Sequence, residues 1–94
     1  MKSYTDLEQS KKLAEILPIE SAVMPYYYDK DNDVEIPCWS LAALLNATPQ
    51  IKIRGSKKIG YVVYYNKNIV SNRSFDIIDA CYEMVLKLNE QKIL

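Results

Sequence analysis

The hydrophobic period of the sequence changes twice along its length, and this pattern most constrains the fold. Over residues 5–17 and again over 76–88, apolar residues recur at the spacing of an amphipathic helix. Between these stretches, residues 50–54 alternate polar and apolar side chains, and residues 59–65 are aromatic and β-branched. Helical ends around a β-rich middle predict an α+β domain.

Local signals mark where the helices begin. Thr5 and Glu8 have the spacing of a capping box, in which each side chain binds the other's backbone amide. Ser40 is a candidate N-cap for a short central helix. The last helix is predicted to begin at Ser74 or Asp76, and the carboxylate of Asp76 is suited to cap it.

The strands are expected to form one small antiparallel sheet. Three strands, 50–54, 59–65 and a short 69–71, are joined by turns that suit a meander. The segment 22–28 contains a proline, which indicates an edge strand or an extended loop, and 34–36 can return from it as a short strand. We therefore predict that all 94 residues form a single domain, an antiparallel sheet of about three strands with N-terminal, short central and long C-terminal helices on one face.

The residue types exclude most common active sites. The chain has no histidine, which removes Ser-His-Asp and Cys-His nucleophile pairs and most zinc sites. It has no glycine-rich phosphate-binding motif, and no pair stands out among its twelve scattered acids. Cys38 and Cys81 fit no zinc or redox motif and are expected to be reduced core thiols. The sequence therefore predicts a protein that is not an enzyme and has no cofactor.

A metal site and a membrane segment are not expected either. Asp29, Asp31 and Asp33 have the first, third and fifth spacing of a calcium-binding EF-hand loop. Val34 stands where that loop needs glycine and Ser40 where it needs a bidentate glutamate, so we interpret the aspartates as a solvated turn. No apolar run approaches the roughly 18 residues of a membrane span, and the first residues lack the apolar core of a secretory signal. We therefore expect a cytoplasmic protein.

Tyrosine gives the chain its candidate protein-binding surface. The six residues considered are Tyr26, Tyr27, Tyr28, Tyr61, Tyr64 and Tyr65. The first three are consecutive, so in a strand they cannot all face one core. Tyrosine supplies rigid amphipathic contact area, so these residues are candidates for contact with a protein partner or with a second copy in a homodimer. Tyrosines that only cover the edges of a small core would give the same pattern.

Charge is unevenly distributed, although the net charge is zero. Residues 36–75 contain six bases and no acid. The segments on both sides are net acidic and compensate for this positive charge. Four of the bases surround one predicted hairpin: Lys52, Arg54, Lys57 and Lys58. With nearby tyrosines, such a hairpin can hold phosphates and stack bases, so a nucleic-acid-binding module is the alternative function. A strand edge made basic to resist aggregation would look the same.

Three stretches together resemble a known group of proteins. At residues 4–18, 37–45 and 79–84 the sequence reads YTDLEQSKKLAEILP, PCWSLAALL and DACYEM. In these stretches the chain is similar to short uncharacterised proteins encoded in gut-bacterial prophages and mobile elements. The resemblance covers nearly the whole length, and it implies a genomic setting without assigning catalytic or binding residues. It favours a non-enzymatic accessory domain, acting through protein contacts, over a housekeeping enzyme.

Overall fold

Two β-hairpins alternate with three helices along the chain. The computed structural model describes residues 2–94, except for the side chains of residues 23–26. The elements are α1 (Leu7–Ile16), a 3-10 turn (Ile19–Ser21), β1 (Val23–Asp29), β2 (Val34–Cys38), α2 (Leu41–Ala47), β3 (Lys52–Ser56), β4 (Gly60–Tyr64) and α3 (Ile77–Glu90). The predicted α+β class is confirmed.

One sheet of about three strands is not confirmed, because the strands form two separate two-stranded sheets. Strand β1 pairs antiparallel with β2, and β3 pairs antiparallel with β4. The polar turn after β1 explains the first pairing. Asp29 accepts a hydrogen bond from the amide of Asp31 (3.1 Å), and Asp33 has a φ of 52°. This short turn leads the chain directly back alongside β1. Strand β1 therefore pairs with β2, the strand that follows it in the chain.

The predicted third strand at 69–71 is present only as an irregular segment beside β4. Tyr64 and Val70 form one isolated bridge, and Tyr61 and Ser74 form another. Between them the ladder is interrupted, since the amide of Val63 donates to the side-chain oxygen of Ser71 (2.9 Å) and not to a backbone carbonyl. A serine hydroxyl has therefore replaced one main-chain acceptor, which keeps the segment from being a regular strand.

The N-cap of α1 lies one residue later than predicted. Asp6, and not Thr5, accepts from the amide of Gln9 (2.8 Å), and the Gln9 side chain accepts from the amide of Asp6 (3.0 Å). Both residue pairs have the spacing of a capping box, and the charged carboxylate is the stronger acceptor. The predicted caps Ser40 and Asp76 are confirmed at α2 and α3.

Thr5 has a different role, because it is fully buried beside Trp39. Its hydroxyl shares a hydrogen bond with the hydroxyl of Ser10 (2.7 Å) and accepts from the backbone amide of Trp39 (3.1 Å). The indole nitrogen of Trp39 donates to the Ser21 side chain (2.9 Å). This arrangement fixes the start of α1 against the end of β2 and satisfies the polar groups that it buries.

The core is built mainly by α3 and by single faces of the other elements. Its buried apolar residues are Leu13, Leu17, Trp39, Ala43, Leu44, Val63, Ile78, Ala80, Cys81, Met84, Val85 and Leu88. Half of these lie on α3, which is 14 residues long. Among the described residues, no helix combines the length and apolar character needed to cross a bilayer.

A polar cluster joins the N-termini of α1 and α3. The backbone amide of Lys2 donates to Asp76 (2.8 Å), and the Lys2 ammonium forms ion pairs with Asp6 (3.2 Å) and with Asp79. Gln9 completes the cluster by donating to Asp79 (2.7 Å). The negative groups lie at the positive ends of two helices, where the helix dipole stabilises them.

This cluster predicts a loss of stability in acid. Partial burial raises the pKa of Asp76, but the backbone amides of Lys2, Ile78 and Asp79 outweigh it and hold that pKa below its ordinary value of 3.8. The amide of Gln9 likewise lowers the pKa of Asp6. Because both folded-state values are depressed, their contribution to stability is complete above about pH 4 and is lost as the pH falls through the folded-state pKa values.

We expect the free energy of unfolding, measured by urea denaturation and circular dichroism, to fall as the pH is lowered below about 4. The control is Asp76→Asn, which still caps α3 but does not titrate. Its acid-induced decrease should be shallower than that of the parent protein. Equal decreases in the two proteins would show that Asp76 does not contribute.

Candidate functional site

The outward face of the β3–β4 hairpin forms an open cleft of about 750 Å³. The strand register places Lys52 opposite Tyr64 and Arg54 opposite Val62. Directly opposed residues of an antiparallel pair lie on the same face, so all four point away from the core. Val70, which bridges to Tyr64 from the irregular segment, continues this face on the other side of β4.

We call this surface the basic face. It consists of a floor, Val62, Tyr64 and Val70, and four surrounding cations, Lys52, Arg54, Lys67 and Arg73. The alternate residues of the same strands are directed inward. Ile53 and Tyr61 pack against the core, and Val63 is fully buried. Because successive side chains of a strand point to opposite faces, one face of the hairpin contacts the core and the other carries the charged residues.

Gly60, at the end of the hairpin, leaves space for the side chain of Arg73. At Gly60, which has a φ of +85°, an added Cβ would lie 2.9 Å from Cγ of Arg73. The Arg73 side chain therefore crosses the backbone where Gly60 has no side chain, and its guanidinium donates to the carbonyl of Ile59 (2.8 Å). A charged group that is already hydrogen-bonded to the backbone loses less conformational entropy when it binds an anion.

The cations of the basic face have no carboxylate partners among the described residues. Every ion pair found there belongs to Lys2, Lys11 or Lys12. Arg54 instead lies over the ring of Tyr64, with 5.6 Å between the guanidinium carbon and the ring centroid. That distance is within the range of a cation–π contact. The charge of the basic face is therefore not neutralised by the part of the chain that the structure describes.

The basic residues that line the cleft differ from the set predicted from the sequence. The two predicted cations on β3 line the basic face, but Lys57 and Lys58 lie exposed in the turn and do not line the cleft. Lys67 and Arg73 take their place. They were missed because they follow β4 in the chain and return to its far side. Both residues lie in the segment 36–75, which contains bases but no acid, and this was the sequence feature that could have indicated them.

The tyrosines of the second hairpin do not share one surface. Tyr61 packs against the core, and Tyr64 lies on the opposite side of β4, in the basic face. Tyr65 is half-buried, contacts the core and also lines the edge of the cleft. Of these three candidates, Tyr64 alone belongs to the floor of the basic face.

The tyrosines of β1 lie on the other hairpin. The Tyr27 hydroxyl donates to the backbone carbonyl of Thr5 (3.0 Å), so this side chain helps to close the core. Tyr28 is 57% exposed, and its hydroxyl donates to the carboxylate of Asp33. The side chain of Tyr26 is outside the described residues. The six candidate tyrosines are therefore not assembled into a single contact surface by the fold described.

The two thiols are buried. Cys38 and Cys81 are both free and both buried. Burial raises the pKa of Cys81 to about 11, and burial also raises the pKa of Cys38. A nucleophilic or metal-binding cysteine needs an accessible thiolate, and neither thiol provides one near neutral pH. Within the described residues, no group of three acids or cysteines is arranged to hold a metal ion.

Comparison with known proteins adds no relative: no protein-family model, curated protein or solved structure matches the chain. The fold defines a small α+β domain. A fold of this class accommodates many activities, so the fold alone does not determine what the basic face binds.

Proposed function

We propose that this protein is a non-enzymatic accessory domain, of phage or mobile-element type, that binds nucleic acid through the basic face. One observation carries the proposal. Four cations without carboxylate partners in the described chain surround an open floor that includes an aromatic ring. Lysine and arginine neutralise backbone phosphates, and tyrosine and arginine offer flat surfaces to bases.

The distribution of charge supports a polyanionic ligand. The whole chain has a net charge of zero, yet residues 36–75 have a net charge of +6 because they hold six bases and no acid. Concentrating positive charge on one surface raises the local concentration of anions and speeds their association. A contact surface for a protein, expected from the tyrosines, has less support, because the hairpin tyrosines face opposite sides of β4.

Fluorescence anisotropy with short labelled DNA and RNA oligonucleotides tests the proposal. We expect a dissociation constant of roughly 1–100 μM at physiological salt, the usual range for sequence-independent binding. If four cations contact phosphates, the logarithm of affinity should fall with the logarithm of salt concentration with a slope of about −3 for a single strand. No binding at low salt would refute the proposal and direct attention to protein partners.

Matched charge reversals locate the binding surface. Lys52→Glu/Lys67→Glu alters two cations of the basic face, and Lys30→Glu/Lys92→Glu makes the same change in net charge at exposed positions that do not line the cleft. We expect the first pair to weaken binding by about tenfold or more and to reduce the salt slope by about 1 to 2. Lys57→Glu/Lys58→Glu, in the turn, should have an intermediate effect. Equal losses for all three pairs would mean that overall charge, and not the basic face, attracts the ligand.

A further inference from the structure

We infer that the basic face takes unpaired nucleotides, so that its ligand is a single strand, with a base stacked at the Arg54–Tyr64 pair. This inference rests on the proposed function and specifies the class of nucleic acid. The relevant chemistry is a flat, uncovered base joined to a phosphate.

The floor of the cleft offers apolar surface that a duplex cannot cover. Val62 and Tyr64 are half-buried, Val70 is 37% exposed, and Ile59 beside them is 60% exposed. A duplex presents phosphates, sugars and base edges, and keeps the faces of its bases stacked inside. An unpaired base presents a whole face, which can cover aliphatic and aromatic side chains. The apolar floor therefore favours unpaired bases.

The edges of the hairpin disfavour the usual way in which a β-ribbon reads a duplex. A two-stranded ribbon can enter the major groove when it stands free of the rest of the protein. Here β4 is covered along its far edge. Four backbone hydrogen bonds hold the irregular segment there: Tyr61 donates to Ser74 (2.6 Å), Ser71 to Val63 (2.7 Å), Ser74 to Tyr61 (2.9 Å) and Tyr65 to Ile69 (3.0 Å). The resulting surface is a cleft and not a protruding ribbon, so it suits a strand lying across it.

The position of Arg54 provides a stacking site that exists before the ligand arrives. Its guanidinium already lies over the Tyr64 ring. A base can displace the guanidinium and stack on the ring. Lys52, opposite Tyr64, and Arg73, across the floor, are then placed to contact the phosphates on either side. Five-residue strands span about 17 Å, which leaves room for the nucleotides on either side of a base stacked at Tyr64.

The test compares a labelled single-stranded oligonucleotide with three unlabelled competitors: its own duplex, the matching mononucleotide and poly-glutamate. We expect the single strand to bind about tenfold more tightly than the duplex, with the mononucleotide and poly-glutamate weaker still. Equal or tighter binding of the duplex would overturn the single-strand inference and leave the proposed function standing. Equal competition by the mononucleotide would assign the face to free nucleotides, and equal competition by poly-glutamate would reduce it to a general anion site.

The matched variants are Tyr64→Leu and Tyr64→Phe. Leucine keeps an apolar floor but has no ring, so it should weaken single-strand binding by about tenfold, with little effect on the duplex or on the salt slope. Phenylalanine should restore wild-type affinity, because it supplies the same ring face. Circular dichroism and a thermal melt of each variant exclude misfolding as the cause. If leucine and phenylalanine bind alike, no base stacks on Tyr64 and the inference fails, whereas failure of every nucleic acid to bind would end both proposals.

Discussion

Trp39→Ala is expected to lower the free energy of unfolding by about 3–5 kcal/mol, the usual cost of removing a fully buried tryptophan. Trp39 has no exposed surface and lies in the core cluster formed by three helices and β4. Alanine would leave a cavity and would also remove the donor to Ser21. The total stability of a domain is only about 5–15 kcal/mol, so this variant should be partly unfolded at 37 °C.

Urea denaturation followed by circular dichroism at 25 °C measures this effect, and Trp39→Phe is the control. Phenylalanine fills most of the cavity and loses the indole donor, but Ser21 keeps its hydrogen bond to the carbonyl of Pro18 (2.6 Å). The Ser21 oxygen loses the indole as its donor, but Ser21 is only half-buried, so water can donate to it instead. We therefore expect Trp39→Phe to cost clearly less than Trp39→Ala. A loss below about 1 kcal/mol for Trp39→Ala would contradict the central position of this side chain.

The helices could be predicted from the sequence because each depends on contiguous residues. The caps Ser40 and Asp76 act on amides two or three positions later, so the sequence around each cap is enough to predict it. Thr5 was predicted as the cap in place of Asp6 because Thr5–Glu8 and Asp6–Gln9 both have the spacing of a capping box. Thr5 does not cap α1 because its hydroxyl accepts from the amide of Trp39, a residue far away in the sequence. That contact forms only in the folded chain.

The division into two sheets could be predicted less well, because whether one hairpin joins another depends on contacts between distant residues. Segments 22–28 and 34–36 were recognised as β-prone, but no local feature decides whether they join the other strands. The basic face shows the same limit. Its β3 cations follow from simple alternation along one strand, whereas Arg73 reaches it only because the chain folds back along β4 and passes over Gly60.

Gly55→Ala is expected to destabilise the β3–β4 hairpin by about 2 kcal/mol or more, and to abolish binding by the basic face with it. Gly55 has a φ of +130°, a conformation that costs a residue with a side chain about 1–3 kcal/mol. An added Cβ would also lie 1.9 Å from the carbonyl oxygen of Gly60, on the facing strand. The obstacle is backbone, so the two strands would have to separate.

Gly60→Ala is the matched comparison, because the two glycines lie one register position apart on the paired strands of one hairpin but meet different obstacles. Its φ of +85° is also strained, yet the nearest atom to an added Cβ belongs to the flexible side chain of Arg73. We expect a smaller loss of stability at Gly60, about 1–2 kcal/mol, with weaker nucleic-acid binding because Arg73 is displaced. Urea denaturation and anisotropy separate the two effects. If Gly55→Ala were as stable as the parent protein, β3 and β4 would not approach as closely as described, and the opposition of Lys52 to Tyr64 and of Arg54 to Val62 would lose its basis.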